Sequence, residues 1–192
     1  MQIDVEIVWM ELSSDDPVRE SGPIPEGFTL ERMVVAQPEV NRFLYTAVGA
    51  DWYWVDQLGK PLSWWRTRVD TPGFETWILR EQGSVAGYFE LEPTRTGLEL
   101  AYFGLLPAYG SRRGLGGPLL CSAIRRSRQT GAPLLTVNTC SLDHPGALAN
   151  YKARGFREIR RETFTRDLPR QSPGPWPGWD SDGHRQSIPI NS

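Results

Sequence analysis

Cysteine is scarce in this chain: Cys121 and Cys140 are the only two in 192 residues. Two cysteines cannot build a disulfide framework, and neither sits in a CxxC pair or a Cys/His array with metal-ligand spacing. A reducing compartment and no metal are therefore expected. Long apolar runs are missing as well, since none reaches the roughly 18 residues of a membrane-spanning helix. The N-terminus, Met1-Gln2-Ile3-Asp4-Val5-Glu6, carries acids where a signal peptide carries basic residues. These absences lead to the expectation of a cytoplasmic protein with no membrane partner. Two nucleotide loops are lacking too: there is no Gly-x4-Gly-Lys-Ser/Thr, and no Gly-x-Gly-x-x-Gly in an early β-α-β unit. No recognised nucleic-acid-binding motif is present, so a nucleic-acid partner is not expected.

The residues that are present belong to a globular protein, with 39% hydrophobic and 23% charged. One substantial core fits this length. The formal charge of −2 conceals an asymmetry. Residues 1–106 hold 8 Lys and Arg against 17 Asp and Glu, a net of −9, whereas residues 107–170 hold 12 against 4, a net of +8. On charge alone, the basic segment suits a nucleic acid, a membrane surface or a phosphorylated cofactor.

Residues 1–12 alternate apolar and polar through Ile3, Val5, Ile7 and Trp9, which predicts a strand, although nothing local identifies its partner. A loop over 13–27, a strand over 28–35 and a helix opening at Pro38 follow. Residues 51–69 hold Trp52, Tyr53, Trp54, Trp64 and Trp65 and read as one or two short helices. Strand patterns at 76–81, 84–92 and 98–106 form an antiparallel meander. Gly114-Leu115-Gly116-Gly117 then leads into a helix over 118–130, where Pro118 is tolerated only in the first turn. A strand over 134–138, a helix over 145–154 closed by Gly155, and a strand over 156–164 complete one domain spanning 1–168, with 1–27 as its N-terminal strand and loop extension. The Pro/Gly-rich tail, 169–192, cannot build a core, although Trp176 and Trp179 could dock on the domain.

At Gly114–Gly117, glycines let backbone approach a ligand, and the helix N-terminus offers unpaired N–H groups and partial positive charge. With Arg112 and Arg113 beside it, the turn suits a pyrophosphate better than a carboxylate. A close-packing turn is the alternative.

Three stretches resemble the GCN5-related N-acetyltransferase superfamily. Glu99-Leu-Ala-Tyr-Phe-Gly-Leu-Leu-Pro107 is similar to its central strand. Ser111-Arg112-Arg113-Gly114-Leu115-Gly116 is similar to its Gln/Arg-x-x-Gly-x-Gly/Ala pyrophosphate loop, with Ser111 where Gln or Arg is usual. Ala147-Leu-Ala-Asn-Tyr151-Lys-Ala-Arg-Gly155-Phe156 is similar to its helix bearing a tyrosine before Gly-Phe, and His144 stands where an Asn is more usual. The resemblance implies an α/β (α+β) fold: a central mixed, mostly antiparallel twisted sheet, flanked by helices and splayed between the central strand and the following parallel strand.

It further implies direct acetyl transfer from acetyl-CoA to the amine of an acceptor. Backbone groups of Phe103 and Leu105 would pair with pantetheine, and an N–H of Leu105 or Leu106 would face the thioester oxygen. Ser111, Arg112, Arg113, Gly114, Leu115, Gly116 and Gly117 would hold the pyrophosphate, with His144 and Asn150 also on the cofactor side. Gly104 is the expected place for the strand's distortion.

Glu99 is the first candidate for the base that deprotonates the amine, and alternation puts it on the face of Ala101 and Phe103. Glu90 and Glu92 are reserves, and a water chain or a purely structural carboxylate are the alternatives. Tyr151 resembles the general acid for the departing thiolate. A phenol of pKa about 10 donating to a thiolate of about 8.5 is uphill by roughly 2 kcal/mol, which favours a hydrogen bond over full proton transfer. A covalent route through Cys140 and His144 competes. Asp51, Asp56 and the aromatic block could receive a cationic amine, with packing in the core as the alternative reading of the rings. The alternative function is a non-catalytic CoA-sensing or partner-binding module. The motifs name neither the acceptor nor the oligomeric state.

Overall fold

The strands are β1 (Gln2–Ser13), β2 (Phe28–Arg32), β3 (Glu75–Glu81), β4 (Ser84–Pro93), β5 (Leu98–Leu105), β6 (Leu134–Cys140) and β7 (Arg157–Asp167), and the helices are α1 (Pro38–Val48), α2 (Leu62–Val69), α3 (Gly116–Gln129) and α4 (Ala147–Ala153). The computed structural model describes residues 1–110 and 114–175. The strands form one open sheet in the order β2-β3-β4-β5-β6-β1-β7, antiparallel throughout except for the parallel pair β5–β6. This is the mixed, mostly antiparallel sheet flanked by helices that the motifs imply.

Local chemistry explains the helix limits. Pro38 opens α1 at a position whose N–H has no helical acceptor, and Leu44 and Val48 pack against Ile78 and Tyr88 on one sheet face. On the opposite face α3 buries Leu119, Leu120, Ala123 and Ile124 against Met10, Leu12, Leu91 and Leu100. α3 takes in Gly116 and Gly117, so Pro118 falls in its first turn. Residues 49–51 form a 3₁₀ turn, so the aromatic block holds one true helix, α2. β2 stops at Arg32 rather than at 35, and Val34 and Val35 are 85% and 72% exposed.

The N-terminal strand does not lie at the sheet's edge. β1 occupies the slot between β6 and β7, pairing from Ile7↔Cys140 to Ser13↔Leu134 on one side and from Gln2↔Asp167 to Glu11↔Arg157 on the other. Its twelve residues give β6 and β7 longer partners than their own patterns suggest, and both strands run past their expected ends.

The distortion in β5 is not at Gly104. Register moves from Leu91↔Leu100 to Glu90↔Tyr102, which leaves Ala101 as the extra residue. Gly104 instead admits α1, because a Cβ there would overlap Val48 Cγ1. A bulge breaks alternation. Glu99 consequently shares a face with Tyr102, Glu90 and Glu92, while Phe103 turns to the other face and packs towards Tyr151, so the shared face expected for Glu99 and Phe103 is not found.

Under α1 and α2, the fully buried Glu90 accepts hydrogen bonds from Asn41 Nδ2 (2.7 Å) and Arg68 Nη1 (2.5 Å). Arg68 also pairs with Glu92 at 2.8 Å and lies over the Phe74 and Tyr102 rings. Burial pushes the Glu90 carboxyl upward, and the facing guanidinium opposes that shift. Replacing Arg68 by Leu strands a buried carboxylate, so urea unfolding should show a loss of about 3–5 kcal/mol, partly recovered when Glu90→Gln is added. A single-variant loss below about 1 kcal/mol, within the range of exposed pairs, would count against this role.

Candidate active site

β5 and β6 pair only at Leu98↔Leu135 and Glu99↔Thr136 and then part. The gap opens into a cleft of about 1530 Å³. Leu100–Ala108 line one wall, and Asn138 with Cys140–Ala147 the other. The glycine turn, Asn150, Tyr151 and Arg154 close one end, and Tyr45, Asp51–Trp54, Asp56 and Gln57 the other.

Ladder geometry settles which backbone groups enter the cleft. Leu106 N–H donates to Ala86 O at 2.9 Å, which makes Leu105 and Gly87 a non-hydrogen-bonded pair. Leu105 and Phe103 therefore turn their N–H and C=O groups away from β4 and towards the cleft. Of the two candidate N–H groups, Leu105's faces the cleft and Leu106's is spent within the sheet.

At the glycine turn, Gly114 has φ +65°, in the left-handed region that favours glycine. Among the described residues no side chain caps α3 at Leu115, whose own side chain is buried in the core, so Leu115 can offer a ligand only its backbone. Asn150 Nδ2 donates to Gly116 O at 3.3 Å, which ties α4 to the start of α3. Ser111, Arg112 and Arg113 lie outside the described residues.

Tyr151 is held between Phe103 (6.1 Å between ring centroids) and Phe156 (5.7 Å). Its hydroxyl has no hydrogen-bond partner among the described residues, and burial, reinforced by Asp143, pushes its pKa well above the usual phenol value. His144 lines the cleft with its ring against Trp52, and its Nδ1 accepts the Gly146 N–H at 2.9 Å. Glu99 does not line the cleft. It accepts from Asn138 Nδ2 at 3.3 Å, and Asn138 does line it; burial and then Glu92 raise the Glu99 pKa against the pull of Arg68.

The aromatic block divides. Trp52, Tyr53 and Trp54 line the cleft, whereas Trp64 and Trp65 do not, and Trp65 packs as core against Tyr45. Tyr45 and Tyr102 are cleft residues that the sequence reading missed, since their spacing reads as ordinary core. They stand 5.0 Å apart, with Trp54 5.4 Å from Tyr102, and burial pushes Tyr45 up to about 12. Asp143 was missed as well. Its carboxylate accepts from Cys140 N–H (2.8 Å), Thr139 Oγ1 (2.8 Å) and Trp54 Nε1 (3.1 Å), joining the end of β6 to the aromatic segment. An aspartate just past a strand in Ser-Leu-Asp is the turn-forming signal that could have marked it. Asp56 pairs with Arg166 of β7.

Residues 41–156 match the acetyltransferase (GNAT) family, and the chain belongs to that family. The fold is shared with a GCN5-related N-acetyltransferase from Sphaerobacter thermophilus (TM-score 0.63, 17% identity, 84% of this chain and 51% of that one). It is shared too with a GCN5-related N-acetyltransferase from Kribbella flavida (TM-score 0.59, 18% identity, 88% and 61%). A third is an aminoglycoside acetyltransferase from an uncultured soil metagenomic sample (TM-score 0.60, 13% identity, 76% and 99%). The chain spans 51% of the Sphaerobacter structure and 61% of the Kribbella one. No curated protein sequence matches it.

The surroundings of Cys140 disfavour the covalent alternative. Burial and the adjacent Asp143 push the thiol up to about 11, and no hydrogen bond joins it to His144 among the described residues. At pH 8 a thiol of that pKa is thiolate at roughly one part in a thousand, so iodoacetamide should label Cys140 about 100-fold more slowly than free cysteine. Labelling at the free-cysteine rate, read by peptide mass spectrometry, would return Cys140 to candidacy.

Proposed function

We propose that the protein transfers acetyl from acetyl-CoA directly to the amine of an acceptor. The observation that carries this reading is the parting of β5 from β6 beside the N-terminus of α3. Backbone groups of Phe103 and Leu105 enter the gap from one side, and on the other the Tyr151 hydroxyl has no hydrogen-bond partner among the described residues.

When bound, acetyl-CoA supplies an activated thioester. The turn at Gly114–Gly117 holds the diphosphate through backbone N–H groups, and the open β5 edge receives the pantetheine amides. Leu105 N–H donates to the carbonyl oxygen as the carbon becomes tetrahedral and negative charge gathers there. Tyr151 donates a hydrogen bond to the departing sulfur. Its raised pKa keeps the hydroxyl protonated and makes full proton transfer less favourable than hydrogen bonding. Glu99, one residue removed from the cleft behind Asn138, accepts the amine proton through solvent.

The acceptor is a cationic amine. Asp51, Trp52, Trp54 and Tyr102 at the far end of the cleft support that class through charge and ring contacts. An aminoglycoside, the class named for one neighbour of the same fold, belongs in the test panel.

Calorimetry should detect binding of acetyl-CoA and CoA, and a thiol-release screen over diverse amines should identify the acceptor. Absence of cosubstrate binding would sink the reading, and binding without turnover across the panel would favour a CoA-sensing module. Tyr151→Phe should lower kcat by about 10–100-fold, the scale of a lost hydrogen bond to a charged sulfur, while leaving acetyl-CoA affinity within about twofold. An unchanged kcat removes Tyr151 from the mechanism. A base works only when ionised, so kcat/KM should fall as pH drops through the Glu99 pKa, on a limb displaced above the ordinary carboxylate value of about 4.3. Glu99→Gln should abolish that limb, and its persistence would assign the base elsewhere.

A further inference from the structure

The first turn of α3 has a second wall, built from parts of the chain that carry no phosphate-binding motif. A Cβ on Gly117 would overlap Arg154 Nη2 and lie 2.8 Å from Ser21 Oγ. Gly117 is therefore glycine because a guanidinium from the end of α4 and a hydroxyl from the N-terminal loop occupy the space a side chain would need. Ser21, Gly117 and Arg154 all line the cleft.

Most described cations around Arg154 are engaged, Arg128 with the backbone carbonyl of Asp16 and others with carboxylates. Arg125 is paired with Glu20, Arg126 with Glu75, Lys152 with Glu158, and Arg157 with Glu11 and Asp16. Arg154 has no carboxylate partner among the described residues, and its Nε is buried without a hydrogen bond. A partly buried cation beside the positive end of a fourteen-residue helix is an unfavourable arrangement on its own. An anion at that point relieves both charges.

The loop that brings Ser21 is fastened in place. Arg128 donates to Asp16 O, Ser21 Oγ lies 3.4 Å from Cys121 Sγ on α3, and Gly155 packs so closely on the loop that a Cβ there would sit 2.6 Å from Pro17 O.

We propose that Arg154 and Ser21 bind a phosphate of CoA over Gly117, so that the N-terminal loop is part of the cosubstrate site. The inference rests on the acetyl-CoA reading above and assigns two ligands that lie outside the glycine turn. The chemistry recognised is a phosphate dianion or diphosphate: a guanidinium fork, a hydroxyl and helix N–H groups converge on it.

The test is calorimetric affinity of the full chain for CoA and for 3′-dephospho-CoA, in the wild type, Arg154→Gln, Arg154→Lys and Ser21→Ala, with thermal melting of each. Loss of a charged contact should weaken CoA binding about 10–100-fold in Arg154→Gln, and loss of the hydroxyl about 3–10-fold in Ser21→Ala. The salt dependence of binding should be shallower in Arg154→Gln, and Arg154→Lys should recover part of the affinity. A defect that persists with 3′-dephospho-CoA assigns the diphosphate, and one that disappears assigns the 3′-phosphate; both support the proposal. If Arg154→Gln melts far below the wild type, Ser21→Ala decides. Wild-type CoA affinity in Arg154→Gln and Ser21→Ala overturns the inference and leaves the acetyl-CoA reading standing. A wild type that binds no CoA overturns both.

Discussion

Two residue pairs, Leu98↔Leu135 and Glu99↔Thr136, are the whole backbone ladder between β5 and β6, and the arrangement of the molecule depends on that brevity. A longer ladder would close the sheet and remove the cleft. The extra residue Ala101 sits just past the last pair, so the bulge starts the divergence and also reverses which face each later side chain takes. Beyond it, the cleft edge of β5 carries backbone groups with no strand partner in β6. Unpaired backbone in a partly enclosed gap is costly unless water or a ligand with its own amides meets it. The feature that weakens the sheet is thus the one that gives it a binding edge.

Because β5 holds β6 so briefly, β6 must be held from the other side. β1 does this along seven residues, from Ile7 to Ser13, and continues the sheet to β7. The same arrangement changes the meaning of the charge asymmetry along the chain. Placing β1 and its loop among α3, β6 and β7 sets the acidic front against the basic segment: Glu6 pairs with Arg161, Glu11 and Asp16 with Arg157, Glu20 with Arg125, and Asp56 with Arg166. Exposed pairs of this kind contribute about 0–1 kcal/mol each. Their larger consequence is to cancel most of the field that the residue counts imply, which leaves the cleft's charge to a few side chains rather than to two oppositely charged halves.

What was legible in the sequence was local. The meander, the glycine turn entering α3 and the helix ending in Tyr151-Lys-Ala-Arg-Gly155-Phe156 each announce themselves by periodicity or turn chemistry within a few residues. The slot of β1 was illegible because strand alternation fixes a face and not a partner 130 residues away. Gly104 misled for a physical reason: glycine in a strand marks either a bulge or a close approach, and here it marks the approach of Val48 while unremarkable Ala101 carries the bulge. Tyr45 and Tyr102 were passed over because one side of each ring is core and the other is cleft, a distinction that apolar spacing does not encode.

The N-terminal strand then links the two ends of the cleft. Val5 and Ile7 line it beside Cys140 and Ser141, while Ser13 hands the chain to the loop that carries Ser21 to Gly117. At the opposite end of the cleft, Asp143 fastens the terminus of β6, which β1 supports, to Trp54. A residue in either end can therefore respond to a change in β1 without touching it, through β6 on one side and the strapped loop on the other. The segment whose partner was least evident from its own residues is the one that runs between the glycine-turn end and the aromatic end of the cleft.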